Sequence, residues 1–197
     1  SKQMVKCASI ISKKRHENAI DLEKCITEYL SSLGMENTIF KIKLNENKSA
    51  INDMGIDECQ FYIASNIGEE LKPLTKVISG GEVSRIMLAI KMAFQENDMV
   101  STLIFDEIDV GISGIVAEKV GNLINELSQS HQILCITHLS QIATKGKYHY
   151  KIYKSLINNR SCVNIKKLNS NERLEEIAAL ISGSEITETG YKQAQSL

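Results

Sequence analysis

The sequence predicts an α/β fold in which a parallel sheet is flanked by helices and preceded by one long helix. Two observations lead to this prediction. A helical pattern separates the short apolar segments 103–105 and 133–136, and strand–helix–strand order favours a right-handed parallel unit. The segment 4–33 instead carries apolar residues at alternating spacings of about three and four, which is typical of an amphipathic helix.

The composition is that of an ordinary globular domain. Of 197 residues, 43% are hydrophobic, and the net charge of -1 gives no general attraction to nucleic acid. The five cysteines form no Cys-x-x-Cys pair, which argues against a zinc module and fits a reducing cytoplasm. No long apolar segment or signal-peptide pattern occurs, so we expect neither a membrane span nor export. Because the chain begins with Ser1 inside a predicted helix, we expect a fragment.

The apolar stripe of residues 4–33 has two interpretations, and Gly34 ends it in both. A coiled coil and a helix packed on a domain surface give the same spacing, and Arg15 lies on the stripe. Two strands are expected next, at 38–44 and at 58–65. The polar segment between them predicts an antiparallel ribbon beside the main sheet.

Helices and strands are predicted to alternate in the middle of the chain. From Glu82 onward, apolar residues recur on one face of a helix, and 103–105 is expected to be a fully buried strand. A second helix from Gly114 leads into the strand 133–136. Such an arrangement places the ends of both strands at one edge of the sheet, where ligands bind in folds of this class.

A hairpin and two helices are predicted for the last part of the chain. Strands at 148–154 and 162–168 would join around 158–159. Ser170 is expected to cap a helix over 172–181, which a glycine stops, and a last helix follows.

Three segments contain residues suited to nucleotide chemistry. A Ser-Gly-Gly turn at 79–81 opens a helix, where glycine lets backbone N–H groups approach an anion. Asp106 and Glu107 end an apolar strand, and two carboxylates there suit Mg²⁺ and the activation of water. His138 follows the next strand. Together they predict part of an ATP-hydrolysing site.

Each segment also has a purely structural interpretation. An isolated Ser-Gly-Gly is more often a tight turn and helix cap, paired acids are often a solvated strand end, and a lone histidine is commonly satisfied by its neighbours. The order of turn, helix, apolar strand and paired acids favours the functional interpretation.

These segments resemble the RecN family of bacterial DNA-repair proteins, which is related to the SMC proteins. The motifs that carry the resemblance are Ser-Gly-Gly-Glu-Val-Ser-Arg at 79–85, Asp-Glu-Ile-Asp-Val-Gly-Ile-Ser-Gly at 106–114 and Thr-His-Leu-Ser-Gln-Ile-Ala at 137–143. The resemblance implies the carboxyl-terminal lobe of a P-loop NTPase head of the ABC/SMC type at 34–197. It also implies the returning strand of a coiled coil at 1–33.

The resemblance further implies a role for each motif residue in hydrolysing ATP with Mg²⁺. Glu107 is expected to polarise the attacking water, His138 to contact the γ-phosphate, and Asp106 to hold a Mg²⁺-bound water. The residues expected to contact nucleotide held by a second head, or to line the interface between heads, are Ser79, Gly80, Gly81, Glu82, Asp109, Gly111 and Ser113.

No Gly-x-x-x-x-Gly-Lys-Ser/Thr loop occurs in the sequence, so the chain alone is expected to be inactive toward ATP. The expected partners are the amino-terminal head lobe of the same polypeptide, a second head in an ATP-dependent homodimer, and DNA through the full-length protein. The expected role is recombinational repair of double-strand breaks at the nucleoid. Two alternatives stay open: a half-head kept as a structural or partner-binding module, and a lobe of another cassette ATPase such as a transporter subunit.

Overall fold

A computed structural model describes residues 2–47, 51–95, 99–157, 160–183 and 186–196. The helices and strands, in chain order, are α1 (Lys2–Ser32), β1 (Ile39–Glu46), β2 (Asp57–Ala64), β3 (Lys72–Pro73), α2 (Gly80–Ala93), β4 (Thr102–Phe105), α3 (Gly114–Leu127), β5 (Gln132–Cys135), α4 (Ser140–Ala143), β6 (Tyr150–Ile157), β7 (Arg160–Lys167), α5 (Ser170–Ser182) and α6 (Glu188–Gln195). A single 3-10 turn, Leu74–Lys76, precedes α2.

Helix α1 packs against the ribbon that β1 and β2 form. The two strands are antiparallel, as predicted. Ser12 Oγ donates to Asp57 Oδ1 at 2.6 Å and Arg15 Nη1 donates to Asp57 Oδ2 at 2.9 Å. Burial raises the pKa of the Asp57 carboxyl, but these two hydrogen bonds, together with the charges of Arg15 and His16, outweigh burial and hold that pKa below its ordinary value. Arg15 lies on the apolar stripe of α1 because the buried carboxylate of Asp57 faces it. The coiled coil at 1–33 stays a prediction.

Strands β4 and β5 are parallel, with Ile104 opposite Leu134, and α3 connects them. This confirms the predicted strand–helix–strand unit. One face of the pair packs on the core, because Leu103 and Phe105 are buried. Ile104, however, is 68% exposed, so the prediction of a fully buried strand is wrong for this lobe. Among the described residues, no second layer covers that face of the two strands.

One apolar core holds α1, α2 and α3 against the strands. Its largest fully buried side chains are Phe40, Ile26, Leu30, Leu33, Ile86, Leu88, Ile108, Leu127 and Val120. Ile108 directly follows the acid pair at the end of β4, so the core anchors the turn that carries both carboxylates.

The carboxyl-terminal part contains the predicted hairpin and two helices. β6 pairs with β7 in antiparallel register, and the predicted join at 158–159 lies outside the described residues. The prediction of Ser170 as a cap is wrong, because Asn169 caps α5 in a capping box with Glu172. Gly183 ends α5 at φ +84. In the part of the chain that the structure describes, no helix combines the length and apolar character needed to cross a membrane.

Candidate functional site

The amino terminus of α2 lies beside the end of β4. Ser79 is the N-cap residue, and its hydroxyl accepts a hydrogen bond from the N–H of Glu82 at 3.5 Å. The helix begins at Gly80, earlier than the predicted Glu82, so both glycines lie in its first turn. The first N–H groups of a helix have no partner within it and carry partial positive charge.

The two glycines of this turn have different surroundings. A Cβ at position 81 would lie 2.9 Å from the carbonyl oxygen of Val110 and 3.2 Å from that of Glu107. A Cβ at position 80 would lie 1.9 Å from Glu107 Oε2, the end of a flexible side chain. Gly81 is therefore required by the backbone packed on it, whereas Gly80 faces a carboxylate that can move.

The chain turns at Glu107, directly after Asp106 at the end of β4. Glu107 has φ 58, a left-handed conformation that is strained for a side chain with a Cβ. Asp106 Oδ1 accepts from the N–H of Glu107 at 2.9 Å, and the carbonyl oxygen of Asp106 accepts from Ser84 Oγ at 2.6 Å. Both acids are exposed at the strand end.

Arg85 joins α2 to the turn after β4. It is 7% exposed, and its Nη1 donates to the carbonyl oxygen of Val110 at 2.8 Å and to that of Ile108 at 3.4 Å. Burial lowers the pKa of this guanidinium, and the charge of Glu82 opposes the shift. The side chain of Glu82 itself accepts from Ser65 Oγ at 3.1 Å, at the end of β2.

Asp109 joins the same turn to the segment after β5. Its side chain is 4% exposed, and its Oδ2 accepts from Thr137 Oγ1 at 2.6 Å and from the N–H of His138 at 2.8 Å. The same oxygen lies 3.0 Å from Nδ1 of the His138 ring, which is 70% exposed. The structure thus turns the Asp109 carboxylate inward, whereas the sequence led us to expect contact with nucleotide or a second head. Contact of Asp109 with nucleotide or a second head stays a prediction. With the carboxylate turned inward, such a contact would have to involve the backbone of Asp109 or act indirectly.

Gly111 and Ser113, later in this turn, are exposed. Gly111 has φ +76, and a Cβ there would meet nothing within 4 Å. Ser113 is the N-cap residue of α3, but its side chain makes no capping hydrogen bond. Gly111 and Ser113 therefore present an open surface next to the acid pair.

Two sets of residues follow from this geometry. We call Arg85, Asp109 and Thr137 the junction, because they link α2, the turn after β4 and the segment after β5. We call Ser79, Asp106, Glu107 and His138 the rim, because all four lie exposed along this edge. Sequence reasoning missed the structural roles of Arg85 and Thr137. A charged residue on the apolar face of α2 was the available signal for Arg85.

The described residues contain no group of three or more histidine, cysteine or acidic side chains that could hold a metal ion. Asp106 offers one exposed carboxylate. With one carboxylate from the chain, Mg²⁺ at this edge would need phosphates and water for most of its ligands, which is its usual mode in nucleotide sites. Burial, with the charges of Asp109 and Asp106, raises the pKa of the Cys135 thiol at the end of β5 to about 12, which disfavours the thiolate that a nucleophilic role would need.

Comparison with known proteins identifies the family. The chain is 38% identical over 195 residues to the DNA repair protein RecN of Haemophilus influenzae, covering 99% of this chain and 35% of that protein. It is 41% identical over 186 residues to RecN of Halalkalibacterium halodurans, covering 93% of this chain and 33% of that protein. The chain belongs to the RecN family. It spans about a third of the length of these curated RecN relatives, and no protein-family model matches it.

A solved structure agrees with the RecN assignment at the level of fold. The crystal structure of the Smc head domain with a coiled coil and joint from Pyrococcus yayanosii matches with a TM-score of 0.56 and 20% sequence identity. The match covers 83% of this chain and 29% of that chain. This RecN-family chain therefore has the fold of part of an Smc head domain, in agreement with the predicted fold class.

Proposed function

We propose that this chain supplies half of a composite ATP-hydrolysing site in a bacterial DNA-repair protein. The observation that carries the proposal is the convergence of three motif segments at one edge. Ser84 bonds α2 to the end of β4, and Asp109 bonds the following turn to His138. The convergence occurs in a chain that is 41% identical to one RecN protein.

Each rim residue would then have one role in hydrolysis. Glu107 orients and polarises the attacking water, and His138 contacts the γ-phosphate. Asp106 would hold Mg²⁺ through a bound water, and the ion supplies charge neutralisation on the phosphates.

Ser79 would act on nucleotide held by a second head. Its hydroxyl and the N–H groups of Gly80 and Gly81 lie at the amino terminus of α2, where they can donate to an anion. In this lobe the carboxylate of Glu107 lies beside Gly80. The phosphates of the same head would be held by a Walker A loop outside this sequence. The γ-phosphate of the partner's nucleotide is then the candidate ligand, with Gly111 and Ser113 lining the interface.

The amino-terminal lobe of the same polypeptide is the proposed cover of the open sheet face. Ile104 and Leu134 are 68% and 49% exposed on the paired parallel strands. Parallel sheets are normally covered on both faces, so this apolar surface fits an intramolecular layer.

Contact with DNA is expected in parts of the full-length protein outside this lobe. The basic clusters at 13–15 and 166–167 contain residues already engaged within the lobe. Arg15 pairs with Asp57 at 2.9 Å, and Lys166 pairs with Glu172 at 2.5 Å.

The experiment is Glu107→Gln in the complete polypeptide. We expect ATP binding to persist, turnover to fall by about 10²–10⁴-fold, and heads to remain dimeric in ATP, because a general base is lost. Glu118→Gln, at an exposed position on α3, is the matched control and should leave turnover unchanged.

Two results would contradict the proposal. Unchanged turnover of Glu107→Gln would show that Glu107 is not the base and would favour the structural half-head. Tight binding of Mg-ATP by the 197-residue chain alone, measured by calorimetry, would show that the lobe needs no second half of the site.

A further inference from the structure

We propose that Asp109 is a positioning residue that holds the imidazole of His138 with Nδ1 protonated and Nε2 turned away from the lobe. The fixed ring would meet phosphate with one nitrogen only. Only the contact of the ring with phosphate rests on the proposed function, since the contact between Asp109 and His138 is a property of the chain itself.

The hydrogen bonds around Asp109 define the donor and the acceptor in each contact. Thr137 Oγ1 accepts from the N–H of Leu139 at 3.0 Å, so its own proton is free to point at Asp109 Oδ2. The N–H of His138 also donates to this oxygen, at 2.8 Å. Asp109 is thus an acceptor in both contacts, as an ionised carboxylate must be.

The same logic applies to the ring. Nδ1 of His138 lies 3.0 Å from Asp109 Oδ2. An unprotonated Nδ1 would bring its lone pair against this charged oxygen, so the contact favours a proton on Nδ1. The ring is 70% exposed, so packing constrains it little. We therefore expect the close contact with the buried carboxylate, rather than packing, to orient the side chain.

This orientation has a chemical consequence for a phosphate ligand. A neutral ring presents Nε2 as an acceptor. A ring that has taken up a second proton from solvent presents Nε2–H to a phosphate oxygen, while Asp109 balances its charge. A ring that is already oriented in this way does not have to be ordered when phosphate binds, which lowers the free-energy cost of the contact.

The test observes His138 directly in the 197-residue chain without nucleotide. Long-range ¹H–¹⁵N correlation spectra distinguish the two neutral tautomers, at a pH above the ordinary histidine pKa of about 6.5. We expect His138 as the Nδ1–H tautomer, assigned by the loss of its signals in His138→Gln. His16 is an internal reference, because its Nδ1 lies 2.9 Å from the carbonyl oxygen of Ser12.

Two variants separate positioning from general damage. Asp109→Ala should return His138 toward the Nε2–H tautomer. Thr137→Val removes another donor to the same carboxylate oxygen and should keep the Nδ1–H tautomer. A wild-type ring in the Nε2–H form would overturn the proposal without any variant. An unchanged tautomer in Asp109→Ala, or an equal change in Thr137→Val, would overturn it as well.

A kinetic cycle in the complete polypeptide tests the consequence. If Asp109 acts through His138, Asp109→Ala should lower kcat by about 10- to 100-fold with little change in KM. The double variant with His138→Ala should cost no more than His138→Ala alone. Additive losses would contradict positioning even where hydrolysis itself is confirmed, and an inactive wild type would count against the proposed function but not against the tautomer.

Discussion

The junction and the rim occupy the same short segments of sequence but have opposite surroundings. Arg85 and Asp109 are 7% and 3% exposed, and their hydrogen bonds end on the backbone or on Thr137. Ser79, Asp106 and Glu107 are exposed, and the ring of His138 is 70% exposed. Neighbouring motif residues therefore carry different tasks: the junction fixes the relative positions of three segments, and the rim is left open for a ligand.

This comparison predicts which variants change stability and which change only activity. Substitutions in the junction should lower the free energy of unfolding of the 197-residue chain. Substitutions of rim side chains should leave it nearly unchanged, because exposed groups away from packing contribute little.

Arg85→Met should give a large loss of stability. It removes the hydrogen bonds to the carbonyl oxygens of Val110 and Ile108, and bonds from a charged donor contribute about 1.5–3 kcal/mol. We expect the free energy of unfolding in urea to fall by about 2 kcal/mol. Lys119→Met, at an exposed position of α3, is the control and should change it by less than about 0.5 kcal/mol. Equal effects of the two variants would show that the hydrogen bonds of Arg85 do not stabilise the junction.

Gly80 and Gly81 should also differ in how much a substitution changes stability. Gly81→Ala should destabilise the chain by about 1–3 kcal/mol, because a methyl group meets backbone oxygen atoms that cannot move independently. Gly80→Ala should change stability by less than about 0.5 kcal/mol, because alanine favours helix and Glu107 can swing aside. Thermal and urea unfolding of both variants measure the difference. Similar losses for both would show that Gly80 is also held by rigid structure.

The last expected difference in stability concerns the backbone at Glu107. Replacing it by glycine should be more favourable than replacing it by alanine, by about 0.5–1 kcal/mol, because only alanine keeps the strain at φ 58. Glu118 within α3 is a control of opposite sign, where glycine should be worse than alanine by about 1 kcal/mol. If glycine is also worse than alanine at position 107, the turn carries no such strain.

Much of the fold could be predicted because the spacing of apolar residues within a segment shows which of its faces packs on the core. The parallel unit followed from two apolar segments around one helical pattern. The helix α4 and the strand β3 were not predicted, since four and two residues give no period to detect. The prediction of Ser170 as the cap of α5 overlooks the pattern of a capping box, in which Glu172 follows Asn169 by three residues.

The edge that carries the rim could also be predicted, because acids and a histidine follow neighbouring parallel strands. The inward direction of Asp109 could not, since alternation in and out ends where the strand turns. The left-handed backbone at Glu107 has no sequence signal either, because glutamate is not a residue that favours it.

The central claim is that Ser79 and the Walker A loop of one site come from different heads. Ser79→Arg and a Walker A-lysine variant of the complete polypeptide should each lose ATP hydrolysis, Ser79→Arg with nearly intact ATP affinity. A heterodimer of the two contains one intact site and one that combines both defects. An equal mixture should therefore regain ATP hydrolysis, to roughly a quarter of the wild-type rate if dimers form at random. A mixture as inactive as both parents, or Ser79→Arg heads that dimerise and turn over normally, would contradict it and return residues 79–81 to the role of a helix cap.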